Sequence, residues 1–566
     1  MNEQEPKAPR KKPKKRLKDL KKPLLSSGII ATTALSGFIV GVVLFINIER
    51  PRGGTFIMGY SGGFTTIDPL NFEDDPMIIS QIAEPLFTEW SNQTSLFNEN
   101  VPHLAKEGNW SDDYLNFTCS LKEGIEFHDG TKFNATAVKW NFDRLQHLLV
   151  SISYPFIWYS DGIQILNRTE VIDDYIVRFV LNRPFVPFKS LLTYYQAYIL
   201  SPKSTPFDRF LDVSTEKIIG TGPYIYESNV VGINTTITKN KNYWGTPKPI
   251  IDTFVFLRLN YIESNERFFA RETHYAVGND SYIEKYKKDS TIVVNDFVDR
   301  GFWFLGMNNK RIDTPMRKAI SYALNYSDIL ELQDSLSWGS NIRCRSPLAL
   351  GTLYSNWEDF NLPYYNISMA RQALKEVNWP GTINLTVNDN ITSGNDWEMK
   401  ANSPTPLGPY NISYIIGDTT MRAEVPSIVT ESLKQIGVKI ETFPLTAVDY
   451  WGQISSGRID LFFVGWGVLY NDPSFTINLM FSSKSDGWQN FQQTNDSLIH
   501  EWMEEGLVQQ NPTLRNGIYF NIQKRLIEEV YPVVWLYSSV WYDVYRTNLR
   551  GWGYWGAGAF KNLYFI

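Results

Sequence analysis

The chain has 566 residues, which is too long for a single hydrophobic core and predicts two to four domains. Hydrophobic residues make up 43% and charged residues 20%, so composition excludes a chain that is disordered throughout. Residues 1–22 hold ten Lys and Arg and three acidic residues, a charge of +7, which leaves −13 for the remainder of a chain whose total is −6. An acidic folded part argues against a nucleic-acid partner, although the basic tail alone could bind one.

An uncharged segment, residues 24–48, follows the basic tail. As a helix it would be about 37 Å long, which is enough to cross a bilayer. The basic cluster before it predicts a cytoplasmic tail, residues 1–23, and an extracytoplasmic position for the rest of the chain in the cell membrane. No small-residue cleavage site is visible between Ile46 and Gly54, and no cysteine precedes Cys119. We therefore predict an uncleaved signal anchor with a single transmembrane helix.

Thirteen Asn-x-Ser/Thr acceptor sites all lie after this segment, which agrees with the topology and predicts a glycoprotein. A Ser-, Thr- and Asn-rich surface without glycans is the alternative. The sites are Asn92, Asn109, Asn116, Asn134, Asn167, Asn234, Asn279, Asn325, Asn366, Asn384, Asn390, Asn411 and Asn495. Only two cysteines occur, Cys119 and Cys344, and the sequence leaves open whether they pair.

The first folded elements follow a Gly-rich stretch. Residues 59–63 match the G-x-S-x-G nucleophile pattern, but no helix pattern follows, so a catalytic serine is not supported there. A helix-like run covers residues 77–86, and Glu84 within it is a candidate ligand-binding residue. Residues 114–121 alternate like a strand, and Asp129-Gly130 predicts a hairpin turn. Asn134 then predicts the cap of a helix that continues through Arg144 and carries Trp140.

Later segments alternate between helix and strand patterns. Asp313-Thr314-Pro315 predicts the start of a helix over residues 316–324. Gly437 is typical of a helix C-terminus, and residues 438–442 follow as a strand. This alternation between residues 426 and 464 predicts an α/β lobe.

Several of these stretches resemble, in the same order, the motifs of extracytoplasmic solute-binding proteins of family 5, which serve peptide- and nickel-type ABC importers. LKEGIEFHDGTKFNATAVKWNFDRL, residues 121–145, is similar to the family signature. Other similar stretches are Ile67-Asp68-Pro69, GTGPYIYES (220–228), NKNYWGTPKPIIDTF (240–254), GMNNKRIDTPMRKAISYALN (306–325), ESLKQIGVKIE (431–441) and IQKRLIEEVYPVVWLY (522–537). From about Phe56 to its C-terminus the chain is identified as a member of this family, of a membrane-anchored, archaeal type.

The resemblance implies an α/β chain with a two-lobed periplasmic-binding-protein fold of type II, in the large three-subdomain form, behind one N-terminal transmembrane helix. The first lobe would comprise about 55–300 and 535–566, with an extra subdomain at about 95–205, and the second lobe about 305–530. Residues 388–409 are predicted to form a surface loop. The implied function is a monomer that captures an oligopeptide or oligosaccharide-like solute between its lobes and delivers it to ABC permease and ATPase subunits.

Residue patterns for catalysis are missing from the sequence. None of the five histidines is paired at metal-ligand spacing, and no phosphate-binding loop occurs, so we predict no metal and no cofactor. An extracellular hydrolase is therefore the weaker alternative. A structural or adhesion protein would favour repeats, which the sequence lacks. A ligand-sensing receptor ectodomain would share the fold and anchor, but the 22-residue tail is too short for a signalling domain, which favours transport.

Residues 460–475 carry the predicted ligand site. Residues 461–464 form a buried-strand pattern that ends at Gly465, and Trp466 follows where open α/β sheets bind ligands. Asn471-Asp472-Pro473 then predicts a turn and the start of a helix. The candidate ligand contacts here are Gly465, Trp466, Leu469 and Tyr470, with Trp140 from the opposite lobe. Packing in the core is the alternative role for each aromatic residue.

In peptide-binding members of the resembled family, an aspartate three residues after the cleft tryptophan holds the free α-amine of the peptide. That position is Leu469 in this chain. Because a buried ammonium without a partner is costly, we expect a neutral or polyhydroxylated ligand, or a blocked peptide, rather than a free peptide. Asp472 is nearby, but capping the next helix is its simpler role. If free peptides bind and N-acetylation abolishes that binding, another carboxylate holds the α-amine in place of the missing aspartate.

Overall fold

The computed structural model describes residues 51–60, 66–71, 77–90, 99–278, 280–336, 340–357, 360–374, 407–417, 424–483, 489–553 and 559–566. The chain divides into two units, Met1–Glu49 and Arg50–Ile566. The predicted tail, the predicted anchor and most of the insert at 388–409 lie outside the described residues. Among those that are described, no helix has both the length and the apolar character that a membrane crossing requires.

The described residues from 51 to 298 supply strands and helices to the first half of the fold. The strands are β1 (Thr55–Tyr60), β2 (Phe87–Trp90), β3 (Glu99–Pro102), β4 (Ala105–Trp110), β5 (Asn116–Leu121), β6 (Tyr159–Ser160), β7 (Ile163–Gln164), β8 (Leu166–Asp173), β9 (Ile176–Leu181), β10 (Tyr224–Val230), β11 (Asn234–Lys239), β12 (Thr253–Arg258), β13 (Tyr275–Gly278) and β14 (Ile292–Val298). The helices are α1 (Ile79–Ile82), α2 (Ala135–Leu148), α3 (Phe188–Leu191), α4 (Tyr261–Phe269) and α5 (Asp280–Lys287).

The second half of the fold begins at Gly301. Its strands are β15 (Gly301–Met307), β16 (Asn341–Arg343), β17 (Leu407–Ile415), β18 (Val438–Leu445) and β19 (Leu461–Gly467), and the chain returns through β20 (Val533–Arg546), β21 (Leu549–Arg550) and β22 (Tyr564–Phe565). The helices are α6 (Thr314–Ala323), α7 (Tyr326–Leu336), α8 (Ile367–Leu374), α9 (Glu424–Lys434), α10 (Ala447–Ser455), α11 (Pro473–Phe481), α12 (Ser497–Val508) and α13 (Pro512–Arg525), followed by a π-helical turn at Leu526–Val530.

The central sheet runs through both halves in the order β10-β11-β12-β1-β13-β20-β15-β19-β17-β18, and β14 and β16 also pair with β20. Its parallel pairs lie within single halves: β1 with β12 and β13 in the first, and β17 with β18 and β19 in the second. A separate antiparallel sheet, β4-β5-β9-β8, belongs to the segment predicted as the extra subdomain. The chain crosses between the halves at residues 299–300 and within β20.

Two large hydrophobic cores correspond to the two halves. The first core joins the β1 side of the central sheet to the four-stranded sheet and α2, and it also includes Tyr470, Phe475 and Leu507 from the second half. The second core lies around β15, β19 and helices α6 and α9. Cys119 is buried in the first core and Cys344 in the second, and both are free thiols, so they do not form a disulfide.

Most local predictions between residues 114 and 473 are confirmed. Asn134 caps α2, which extends to Leu148, and Asp313 caps α6. The turn at Asp129-Gly130 is present, with Gly130 at a φ of 77°, but a single bridge from Glu126 to Lys132 replaces the expected strands. The helix predicted over residues 77–86 is wrong in length, because α1 ends at Ile82 and Glu84 already pairs with Ile199 in extended conformation.

A buried ion pair fixes α2 against the chain before it. Arg144, on α2, donates to both carboxylate oxygens of Asp68 and to the carbonyl oxygens of Pro206 and Arg209. Asp68 also accepts from the backbone N–H groups of Leu70 and Leu211. Because both side chains are almost fully buried, the Ile67-Asp68-Pro69 motif acts here as a structural anchor.

We expect Asp68→Asn to lower the free energy of unfolding by about 3–5 kcal/mol, because it leaves the Arg144 charge buried without its counter-charge. Chemical denaturation of residues 51–566 measures the change. Asp143→Asn is the matched control, since Asp143 forms a partly exposed pair with Lys139 on the same helix and such pairs contribute about 0.5 kcal/mol. Equal stability of the two variants would contradict the prediction.

Candidate functional site

Strand β19 leads from the second core to an open strand end. Leu461–Val464 are buried, whereas Gly465 and Gly467 are exposed. The strand pairs antiparallel with β15, which places Gly465 opposite Trp303. A Cβ on Gly465 would lie 2.9 Å from the Trp303 indole, so this ring is by itself a reason for the glycine, and its role as a ligand contact stays a prediction. Trp303 in turn stacks on Tyr537 of β20, with ring centroids 6.1 Å apart.

Trp466 lies between the two halves of the fold. Its half-buried ring packs against both hydrophobic cores and against Phe475, with centroids 5.8 Å apart. Its Nε1 atom is buried and has no hydrogen-bond partner within the described part of the chain. An indole N–H is a donor only, so this position suits an acceptor oxygen supplied from outside the described residues.

The loop after Trp466 faces the first half. Leu469 is half-buried and packs against the first core, as does the buried ring of Tyr470, which meets Phe475 edge-on at 5.1 Å. Burial raises the pKa of the Tyr470 hydroxyl well above its usual value. Neither side chain offers a charge to a ligand.

Asp472 has the capping role predicted for it. Its side chain accepts from Ser474 N at 2.9 Å at the start of α11, and it accepts two hydrogen bonds from Arg515 at 2.7 and 2.8 Å. Both members of this ion pair are buried. Its carboxylate oxygens are thus engaged within the second half, so Asp472 does not replace the missing ligand anchor.

The two halves touch beyond Tyr470. Arg183, after β9, contacts Glu504 on α12 at 2.5 Å, and Val186 N donates to Leu507 O at 2.8 Å. A third contact joins Ser482 Oγ to Asp161 Oδ1 at 3.0 Å. A cavity of about 30 Å³ between them is lined from both halves by residues that include Tyr159, Asp161, Phe185, Tyr470 and Asn478. The structure therefore has its lobes in contact.

Trp140 is placed on α2, where its half-buried ring meets Phe207 edge-on at 5.7 Å. In the described ranges, no aromatic ring contact joins Trp140 to Trp466 or Tyr470. The helix periodicity correctly places Trp140 on α2, but the contact with Phe207 could not be read from the sequence. Its role as a ligand contact stays a prediction.

Glu84 is the centre of a buried polar cluster in the first half. Its carboxylate is fully buried and accepts from His103 Nε2, Thr221 Oγ1, Tyr243 OH and Trp244 Nε1, all at 2.7–2.8 Å. Burial alone raises its pKa, but the charge of His103 and these hydrogen bonds together hold the pKa of Glu84 below 4.5. With four internal donors, Glu84 has a structural explanation that the sequence did not suggest.

The crossing between the halves contains residues that the sequence reasoning missed. Arg300, between β14 and β15, contacts Glu89 on β2 at 2.6 Å, and Asp299 precedes it. Gly301 lies opposite Gly467 at the end of β19. No local motif marks these positions, because their neighbours come from distant parts of the chain. Within the described ranges, no group of His, Cys, Asp and Glu is suited to hold a metal ion.

We expect Glu84→Gln to lower the free energy of unfolding by about 3 kcal/mol at pH 7, because the hydrogen bonds to the charged carboxylate are weakened. Because the folded-state pKa is depressed, this stabilisation is present above about pH 4.5 and is lost as the pH falls through the folded-state value. Denaturant titrations of both proteins at several pH values measure this. Glu123→Gln, in an exposed pair with Lys106, is the control, and a stability difference that widens with acid would contradict the prediction.

Three comparisons relate the chain to known proteins. The glutathione-binding protein GsiB of Shigella flexneri serotype 5b is 22% identical over 515 residues, covering 88% of this chain and 91% of the relative. The structure of the periplasmic binding protein DppA from Helicobacter pylori with the peptide STSA covers 91% of this chain and 98% of DppA, with a TM-score of 0.68 and 21% identity. HbpA2 from Haemophilus parasuis covers 90% of this chain and 100% of its own, with a TM-score of 0.76 and 20% identity.

These structures support the mixed α/β, two-lobed periplasmic-binding-protein fold expected from the sequence. The relatives are solute-binding proteins rather than enzymes, which fits the expected binding role. A family model described as "Bacterial extracellular solute-binding proteins, family 5 Middle" matches residues 99–488, which is more than half of the chain. The chain therefore belongs to family 5 of the extracellular solute-binding proteins.

Proposed function

We propose that this protein captures a short peptide-type solute between its two lobes at the cell surface and delivers it to the permease and ATPase subunits of an ABC importer. The observation that carries this proposal is the position of Trp466. It is a large aromatic residue at an open strand end, it contacts the cores of both lobes, and its buried N–H has no partner among the described residues. A ligand enclosed there would contact both lobes together.

The peptide class is supported by what the relatives are named for. One is a glutathione-binding protein, and glutathione is itself a small peptide, while another was solved with the peptide STSA. Amide carbonyl oxygens in such a ligand are suitable acceptors for the Trp466 indole N–H. Both the family membership and the chemistry at Trp466 therefore favour a peptide backbone in the cleft.

A neutral ligand, such as an oligosaccharide or an N-blocked peptide, is the second candidate. Leu469 packs against apolar side chains, so the residue three positions after the cleft tryptophan provides no charge for a free amine. Trp303 is half-buried near the same strand end, and a partly exposed indole face of this kind suits a sugar ring. Calorimetric titration with oligosaccharides, free peptides and N-acetylated peptides separates these candidates.

We expect ligand binding to bring the lobes together about the two crossings, residues 299–300 and the part of β20 after Tyr537, which adjoin the stretches Phe302–Leu305 and Val533–Tyr537 that the sequence suggests. A ligand shifts this equilibrium only through contacts that are better in the closed state. Small-angle scattering of residues 51–566, saturated with a peptide found by thermal-shift screening, should give a smaller radius of gyration than the free protein. An unchanged radius at saturation would contradict closure.

Glu504→Arg should weaken peptide binding several-fold and increase the radius of gyration of the free protein. The substitution places two cations together where Arg183 meets Glu504. The contact is partly exposed, so the lost attraction is worth at most about 1 kcal/mol, and like-charge repulsion adds to it. Glu505→Arg on the same helix is the matched control, since Glu505 is exposed. Calorimetry and scattering on both variants measure the effect, and identical behaviour would argue against this contact as part of closure.

We also propose that residues 24–48 anchor the protein in the membrane, with the basic tail in the cytoplasm and the remainder outside. The basic tail, the uncharged segment and the missing cleavage site support this topology. Membrane fractionation should recover the full-length protein with membranes, and protease added to intact cells should digest everything after residue 50. A soluble product whose N-terminus lies near residue 50 would contradict anchoring.

A further inference from the structure

The crossing from the first lobe to the second passes directly beside Trp466. β14 ends at Val298, Asp299 N donates to Ser539 O of β20 at 2.8 Å, and β15 begins at Gly301. The antiparallel register of β15 with β19 sets Gly301 opposite Gly467. Asp299 therefore adjoins the open strand end, although the two segments are far apart in sequence.

Glycines on both strands, Gly301 and Gly467, leave room beside the half-buried Asp299. A Cβ on Gly301 would lie 3.2 Å from Asp299 Oδ2 and 3.0 Å from the carbonyl oxygen of Trp466, so these two oxygens lie within about 6 Å of each other. A Cβ on Gly467 would meet no atom within 4 Å. One ammonium group, with three donors at tetrahedral angles and hydrogen bonds of about 2.9 Å, contacts two acceptors that lie about 4.7 Å apart, a separation inside this upper limit.

The charge of Asp299 is only partly compensated by its own chain. Its carboxylate accepts from the indole of Trp541 and from the backbone N–H groups of Arg300 and Gly301, and the guanidinium of Arg300 is directed to Glu89 at 2.6 Å. Burial raises the pKa of Asp299, and these donors and the Arg300 charge offset this only in part. A half-buried carboxylate with mostly neutral donors is stabilised further by any cation that reaches it.

Three other buried carboxylates do not fit this role. Asp543 also has a raised pKa because of burial, but Tyr275 OH and Trp552 Nε1 enclose it at 2.7 and 2.9 Å inside the first lobe. Asp472 is held by Arg515, and Glu84 has four internal donors. Asp299 differs from all three because it lies at the open end of the β15–β19 pair.

We propose that Asp299 binds the positively charged amino group of the solute, with the carbonyl oxygen of Trp466 as the second acceptor. This inference rests on the proposed function and assigns the ligand a free amine. Leu469, three residues after Trp466, cannot supply a counter-charge for this amine. Asp299 supplies it instead, from the crossing between the lobes. Because the crossing is shared by both lobes, a ligand held there is positioned before the second lobe closes over it.

The test is isothermal titration of the full-length protein in detergent with glutathione, trialanine and the N-acetylated form of each. Asp299→Asn keeps the size and the acceptor oxygen but removes the charge. It should weaken binding of the free-amine probes about tenfold to a few hundredfold and change binding of the acetylated probes less than about twofold. Asp299→Glu should restore part of the loss. Asp296→Asn, exposed on β14, is the matched control and should leave all four affinities unchanged.

Thermal unfolding of each variant distinguishes a role of Asp299 in binding the amino group from a role only in ordering the turn at residues 299–300. An equal loss of affinity for free and acetylated probes, together with a lower melting temperature, would overturn the inference and leave the proposed function standing. Unchanged affinity of Asp299→Asn for a free-amine probe that the wild-type protein binds would do the same. A wild-type protein that binds none of the four probes would overturn both the proposed peptide-type ligand and the proposed role of Asp299.

Discussion

One strand, β20, belongs to both lobes, and the rest of the architecture depends on it. Its first residues pair with β15 and β16 in the second lobe, and its last residues pair with β13 and β14 in the first. A relative rotation of the lobes must therefore be absorbed by twist within this strand and by the short turn at residues 299–300. Since the β15–β20 pairing already shifts register between Trp303 and Phe304, the ladder is irregular where such twist is needed.

The buried carboxylates of this chain fall into two groups, those that stabilise the fold and one that is available to a ligand. Asp68 and Asp472 each receive two hydrogen bonds from one arginine, and Glu84 collects four donors, so these charges are neutralised within one lobe. Such groups hold subdomains together and have little capacity left for a ligand. Asp299 lies between the lobes instead, where a compensating charge can arrive from solution. The location of a carboxylate relative to the crossing between the lobes is thus a better guide to ligand binding than its burial.

The sequence predicted what depends on neighbouring residues and missed what depends on pairing between distant ones. The strand that begins at Leu461, the caps at Asn134, Asp313 and Asp472, and the family motifs all have local signals. In contrast, the four donors around Glu84 come from three separate segments, and Phe207 reaches Trp140 from another loop. The expectation of a neutral ligand considered only the position after Trp466, whereas the β15–β19 register brings in Asp299, which no spacing rule could reveal.

Among the described residues, the polar contacts between the lobes add little to the stability of the closed form. Arg183 and Glu504 are partly exposed, so their ion pair contributes at most about 1 kcal/mol, and the other polar contacts beside it are single hydrogen bonds. Tyr470, Phe475 and Leu507 add apolar packing against the first core. Meanwhile the buried Trp466 N–H lacks a partner among the described residues, and an unsatisfied buried donor costs about 1–3 kcal/mol. A ligand acceptor removes that cost only when the lobes enclose it. On the proposed function, Trp466 would make closure depend on the ligand, because the atom that disfavours the empty closed state would stabilise the filled one.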